Sequence, residues 1–331
     1  MWDDDGTCFL TYNALCFKSG YKGIMQVPID TESGKFLSDE YPIWQGSGLP
    51  AAEGPHIFKK GIYWYLLLAE GGTERGHCVT VARSQNVDGP YEGFKQNPIL
   101  SSRSTFHTVQ NTGHADIVDT PEGEWAAVYL GVRPKGSSPG FHVLGRETFL
   151  AGIVWKQDWP TFVRDAYSGP IIDNSFSDQF KESGLNSRWV VPHGEADRFV
   201  RSSPGGGIEL LPTEDSQVLC ARVKDLCWSA EVRVEGEVVL QLRIDPRHNY
   251  RIVAMHSKIA VETNIGDIST VVTEVARTSA CVVLQIRACN PKSKPMPLGH
   301  AGPDDICLSV KQNGDQQDLA LLDGRYISTE V

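Results

Sequence analysis

At 331 residues the chain is long enough for two domains, and its 40% apolar and 22% charged content is that of a globular protein. The net charge of −10 is shared evenly, about −5 in each half, so neither half offers nucleic acid a basic surface. No apolar run reaches the roughly 18–20 residues of a membrane span.

The chain starts with MWDDDGTCFL, which is acidic and has no targeting pattern. In chain order, MWDDDGTCFLTY reads as an acidic Gly turn feeding an aromatic strand. PHIFKKGIYWYLLLAEGG and HADIVDTPEGEWAAVYLGV repeat that plan, with Phe9, Tyr63 and Trp125 as equivalent aromatics. Between the copies lie further strand candidates, TYNALCFKS, GIMQVPI and HCVTVARS. Helical periodicity is almost absent, so the chain is predicted to be all-β. Roughly four strands per repeat is the plan of a β-propeller blade, and propellers close with about 4–8 blades. Residues 1–168 supply about three blades. An open arc of that kind would leave a strand edge and an apolar blade face uncovered, so the expectation is that sequence before Met1, or a partner, completes the ring.

From about Ile171 the texture changes. A polar lead-in, DNSFSDQFKESGLNSRW, precedes at least eight alternating strands, from GIELLP to ICLSVKQ. Residues 169–331 are therefore predicted to form a β-sandwich of jelly-roll type. The last segment, LDGRYISTEV, reads as an unfinished strand, with the final strands of the sandwich missing. Lys292 and Lys294 read as a solvated Pro-rich loop. The eight cysteines form no C-x-x-C pair and lie largely in apolar strand runs, where free Cys packs as a small hydrophobe.

Chemistry-bearing residues are few. Glu53 sits in LPAAEGPHIF, a carboxylate immediately before a run that must be buried. On pattern alone it is a solvated loop charge or an acid at the mouth of a site, and the loop charge is the commoner case. A lone His114 in NTGHADIV is ordinarily a satisfied core residue. Trp64, Tyr65, Trp125 and Tyr129 alternate on strands and are mostly packing. Gly205-Gly206-Gly207 has no following Lys or helix and is a turn.

The segments AEGPHIFKKGIYWYLLLAEGGT, HCVTVARS, NTGHADIVDTPEGEWAAVYLGVRP and LGRETFLAGIVWKQDWP, in that order, resemble glycoside hydrolase family 43, in particular its β-xylosidase type. DNSFSDQF, LNSRW and DGRYISTEV extend the resemblance through the second half. It implies a five-bladed propeller followed by a concanavalin-like sandwich, here truncated at both ends. It also implies exo-acting, inverting hydrolysis of xylo-oligosaccharides or arabinosyl substrates, with no cofactor required. An inverting glycosidase uses two carboxyl groups about 6.5–9.5 Å apart, one protonating the leaving oxygen and one activating water. The resemblance makes Glu53 the general acid and places the base and an orienting Asp before Met1. Asp3, Asp4 and Asp5 match a turn and not the missing acid. By itself, the chain is then expected to hydrolyse little.

The resemblance further implies that Arg146 and Thr73 bind substrate and that His114 lies near the propeller axis, holding water or a calcium ion. Asp116, on the same strand face as His114, would be a supporting residue or a strand-end cap. An Arg146 that only pairs on the surface would do so with Glu147 or Asp158. Arg133, His56 and His77 are lower-ranked lining residues. Two other readings are a non-catalytic carbohydrate-binding remnant and a structural β-rich interaction protein.

Overall fold

The computed structural model describes residues 1–15, 20–136, 140–167, 169, 172–182, 184–213, 217–291 and 302–329. The expected loop at Lys292 and Lys294 lies outside them, as do Glu330 and Val331. Two compact units are present: Met1–Gly169 with Pro291–Pro303 and Gly324–Val331, and Pro170–Asn290 with Asp304–Asp323. The described residues fold as strands and turns, with two short 3-10 segments and no α-helix.

The first unit holds three antiparallel sheets. One is β1 (Cys8–Leu15), β2 (Lys22–Ile29) and β3 (Tyr41–Trp44). The next follows the order β4 (Glu53–Lys60), β5 (Tyr63–Glu70), β6 (Cys78–Ser84) and β7 (Glu92–Gly93), with β8 (Leu100–Ser101) also paired to β6. The third comprises β9 (Gln110–Asp119), β10 (Trp125–Val132), β11 (Glu147–Lys156) and β12 (Trp159–Val163), in that spatial order.

Strand β5 explains the stacking. Its sequence YWYLLLAE is apolar on both faces, and every residue after Tyr63 is buried. Tyr65 and Leu67 join Val79, Val81, Ala115, Ile117, Ala127, Tyr129, Ala151, Ile153 and Trp159 in one core. The alternate residues Leu66 and Leu68 join Ile24, with Ile43, Trp44 and Ile57 packed against them, in a second. A strand covered on both faces reads as a continuous apolar run, and here it carries the middle sheet between its two neighbours. The aromatic partners Tyr65, Trp125, Trp155 and Phe58 lie with neighbouring ring centroids 5.0–6.4 Å apart, so these side chains are packing, as expected.

The repeat is therefore real. β1, β5 and β10 are the equivalent aromatic strands, carrying Phe9, Tyr63 and Trp125. The first sheet has three strands and not four: before β1 the backbone contributes only a bridge from Trp2 to Cys8. The outer face of the third sheet is apolar and uncovered, with Val118 59%, Val128 45%, Leu150 47% and Val154 44% exposed. Val128 is the cross-strand partner of both Asp116 and Leu150, while Val118 lies opposite Ala126 and Val154 opposite Thr161.

The second unit begins with short pairs, β13 (Trp189–Val190) with β16 (Cys220–Ala221), and β14 (Val200–Ser202) with β15 (Ile208–Leu210). Its body is two four-stranded sheets. One has the order β17 (Ser229–Glu235), β22 (Cys281–Cys289), β23 (Asp305–Gln312), β24 (Asp315–Asp323). The other is β18 (Val238–Asp245), β19 (His248–Ala254), β20 (Lys258–Ile265), β21 (Ile268–Ala276). In β22 every second residue is buried from Val282 to Ile286, the alternation of a sheet with one face on a core. The terminal segment corrects one expectation. Strand ends at Asp323, and Gly324–Ile327 is a 3-10 turn. The backbone N–H of His142 donates to Ser328 Oγ at 3.0 Å, which ties that segment into the first unit.

Candidate active site

Glu53 is the first residue of β4 and is half-buried. The chain reaches it through a strained approach: Ala51 has φ +57 and Gly54 φ +57, and the β4–β5 register shifts between Glu53 and His56. A bulge at a strand mouth re-aims side chains. The approach is tied down at three points. Asn13 Nδ2 donates to Ala52 O at 2.5 Å, and Gly71 N donates to Pro50 O at 2.7 Å. The third tie is Ser47 N, which donates to both carboxylate oxygens of Glu70, at 3.1 and 3.0 Å.

Glu70 ends β5 and is fully buried. Besides Ser47 N, it accepts from the Thr80 hydroxyl. A buried carboxylate survives only when its lone pairs are satisfied, and here the donors come from β6 and from the loop that delivers Glu53. Sequence reasoning passed over Glu70. The available signal was a carboxylate closing an otherwise unbroken apolar strand.

His114 lies on β9 with φ +50, its ring over Gly54: a Cβ on Gly54 would stand 2.6 Å from His114 Nε2. This fixes the first contact between the two motifs, and only glycine permits it. Beneath them is His77, 1% exposed. Its Nδ1 lies 2.9 Å from Asn111 O, and its ring lies flat on Gly113, where a Cβ would come within 2.4 Å. Burial lowers the proton affinity of His77, the bond to Asn111 O opposes this, the charges of His114 and Arg146 lower it further, and that of Glu53 raises it. The net direction is down, so His77 is neutral, with Nδ1–H donating to Asn111 O. Its buried Nε2 has no hydrogen-bond partner. Glu53, His114 and Arg146 thus share one electrostatic neighbourhood around a residue that sequence reasoning ranked low.

Thr73 is exposed at the tip of a loop pinched at its base, where a Cβ on Gly71 would meet Gly76 O at 2.0 Å. Arg146 is exposed. The ion pair considered for it goes elsewhere: Arg133 takes Glu147 in a two-pronged contact, Nε–Oε2 2.9 Å and Nη2–Oε1 2.7 Å. Asp158 offers its carbonyl to Tyr65 and Arg83. Asp116 is mid-strand, not an end cap. It is 3.4 Å from His56 Nδ1 and accepts from Ile117 N at 2.8 Å.

The metal expectation finds no donor set. Among the described residues no three His, Cys, Asp or Glu side chains gather as a metal-binding group, and His114 brings a ring nitrogen where calcium takes oxygens.

Comparison with known proteins follows the same residues. The profile of Glycosyl hydrolases family 43 matches residues 1–160. A non-reducing end alpha-L-arabinofuranosidase of Bacteroides ovatus is 34% identical over 250 residues, 67% of this chain and 47% of that protein. A beta-xylosidase of Bacillus subtilis (strain 168) is 35% identical over 264 residues, 70% of this chain and 50% of its own length. The chain spans about half the length of these curated relatives. Among solved structures, a xylan beta-1,4-xylosidase from Bacillus halodurans C-125 superposes with a TM-score of 0.80 at 23% identity, covering 99% of this chain and 68% of that one. That likeness establishes the fold, propeller blades and β-sandwich.

Proposed function

The chain belongs to glycosyl hydrolases family 43 through residues 1–160, and from that premise we propose that it serves an exo-acting glycoside hydrolase of the β-xylosidase or α-L-arabinofuranosidase kind. The observation that carries the proposal is the seat of Glu53 at a tethered strand mouth, with the His114 ring over the adjoining Gly54 and buried His77 packed on Gly113. Glu53 is the proton donor. Its half-buried carboxyl sits at a tethered strand mouth, where a glycosidic oxygen can be met at fixed distance. Positioning of that kind supplies much of what a general acid contributes. The exposed guanidinium of Arg146 offers paired N–H donors to sugar hydroxyls, and Thr73 adds a hydroxyl from the pinched loop. His114 borders the site through its ring. Inversion would require water to attack the anomeric carbon opposite the leaving oxygen and to pass its proton to a second carboxylate, a role that the resemblance assigns to no residue of this chain. No step is routed through a metal.

Steady-state hydrolysis with two leaving groups tests the assignment. A xylose leaving group needs a proton and nitrophenolate does not. Glu53→Gln should therefore lower whatever rate the chain sustains on xylobiose by about 10²–10⁴-fold, and lower nitrophenyl β-xyloside hydrolysis much less. Equal losses on both substrates, or none, would refute Glu53 as the acid. Binding of xylobiose without any turnover would favour a carbohydrate-binding role for the same site.

A further inference from the structure

The loop from Ser102 to Val109 leaves the middle sheet at the same end as Glu53. Cross-strand partners form a straight row, Glu53 with Ala69, Ala69 with Val79 and Val79 with Leu100. Three strand spacings of about 4.8 Å put the start of the loop roughly 14 Å from Glu53. The loop then crosses back to β9, whose Asn111 holds His77. A path of that length suits several linked sugars and exceeds one.

At the middle of the loop stands Phe106, 104% exposed, the most exposed large apolar side chain among the described residues. Single exposed apolar residues are ordinary, but this one is held in place. Gln110 Nε2 donates to Thr105 O at 3.2 Å and to His107 O at 2.7 Å, clasping the carbonyls on both sides of Phe106. Thr105 closes the turn twice onto Ser102 O, through its hydroxyl at 2.7 Å and its N–H at 3.2 Å. Ser102 is itself held by Arg164 Nη1 at 2.9 Å. The loop is thus a short, internally bonded arch with an aromatic ring at its crown. Arg103 and His107, both exposed, lie on the same loop and carry donors.

We infer that Phe106 is a stacking platform for a sugar residue on the leaving-group side of the substrate, and this inference rests on the glycosidase reading of the site. A β-xylopyranose carries its hydroxyls equatorially, so its two faces are C–H surfaces that can cover an aromatic ring, while Arg103 and His107 reach the rim hydroxyls. Because the arch is already ordered, little conformational freedom is lost on binding. The ring contributes to binding an oligosaccharide and contributes nothing to a single sugar bound at Glu53.

Calorimetric titration of the full chain with xylotetraose and with xylose tests this. Phe106→Ala should weaken xylotetraose by about tenfold, the scale of one uncovered aromatic side chain, with xylose affinity and melting temperature unchanged. Phe106→Trp should restore xylotetraose binding. An unchanged xylotetraose affinity in Phe106→Ala, or an equal loss for xylose, overturns the platform while leaving the glycosidase reading intact. If the wild-type chain binds neither sugar, that reading fails, and the platform with it.

Discussion

Strands β9 and β20 are both long and both line a core, yet they use their backbones differently. β20 pairs with β19 without a break and with β21 through one shift. β9 shifts register twice against β10 and holds Asn111 and His114 at φ +52 and +50. Left-handed backbone at a non-glycine residue costs about 1–3 kcal/mol and persists where its surroundings insist on it. In β9 the departure frees Asn111 O for His77 and turns His114 over Gly54. The sandwich strand shows the regular ladder, and the propeller strand shows one given up for geometry around Glu53.

The sharpest way to break this comparison uses glycine. Gly113→Ala would drive a methyl group against the His77 ring, where 2.4 Å is available. We expect a loss of about 3 kcal/mol, at the upper end for an overpacked site. Gly236, in the hairpin between β17 and β18, has a positive φ (+74), which Gly113 lacks, and open space around it. There alanine meets only the backbone penalty of about 1–2 kcal/mol. Urea unfolding of each variant measures both; equal costs would mean that β9 is not tightly packed on His77.

A smaller effect is pH-dependent. The folded chain holds His77 below its ordinary value of 6.5, chiefly by burial. The unfolded chain therefore binds that proton more readily, and stability must fall as pH drops through 6.5 toward the folded value. It is recovered above 6.5, where His77 is neutral in both states. His77→Gln, which can still donate to Asn111 O, should flatten the slope between pH 7 and 5. An unchanged slope in that variant would assign the pH dependence to other groups.

The smallest effect compares two similar ion pairs, Arg133 with Glu147 in the first unit and Arg251 with Glu262 in the second. Both are only partly buried, so Arg→Met at either should cost no more than about 1 kcal/mol. A markedly larger loss at Arg133 would show that it carries more of the site than its contact with Glu147.

Legibility followed the same division. The Glu-Gly-Pro-His motif, the alternating aromatics and the repeat announced themselves because each is local. YWYLLLAE read as a strand in a run that must be buried, and the structure adds that it is covered on both faces. Arg146 was singled out by its motif, with Glu147 or Asp158 as alternative partners, and the structure shows Glu147 paired with Arg133. His77 and Glu70 stayed hidden for another reason. A histidine inside HCVTVARS and a glutamate before Gly-Gly acquire meaning only from residues 34 and 23 positions away, Asn111 and Ser47. Asp116 was read as a supporting residue or a strand-end cap, because alternation does not reveal where a strand stops. The run to Ile327 looked like strand because the 3-10 turn at Gly324 leaves no periodic trace.

The central claim is that Glu53, His114 and Arg146 frame one pentose site. Its most direct test is calorimetric titration of xylobiose into the wild-type chain and into Arg146→Met, with cellobiose as the control. The account predicts that xylobiose binds, that cellobiose binds more weakly, and that Arg146→Met loses about tenfold or more of the xylobiose affinity, as expected when a charged donor pair is removed. Equal binding of both disaccharides, or an affinity untouched in Arg146→Met, would contradict it.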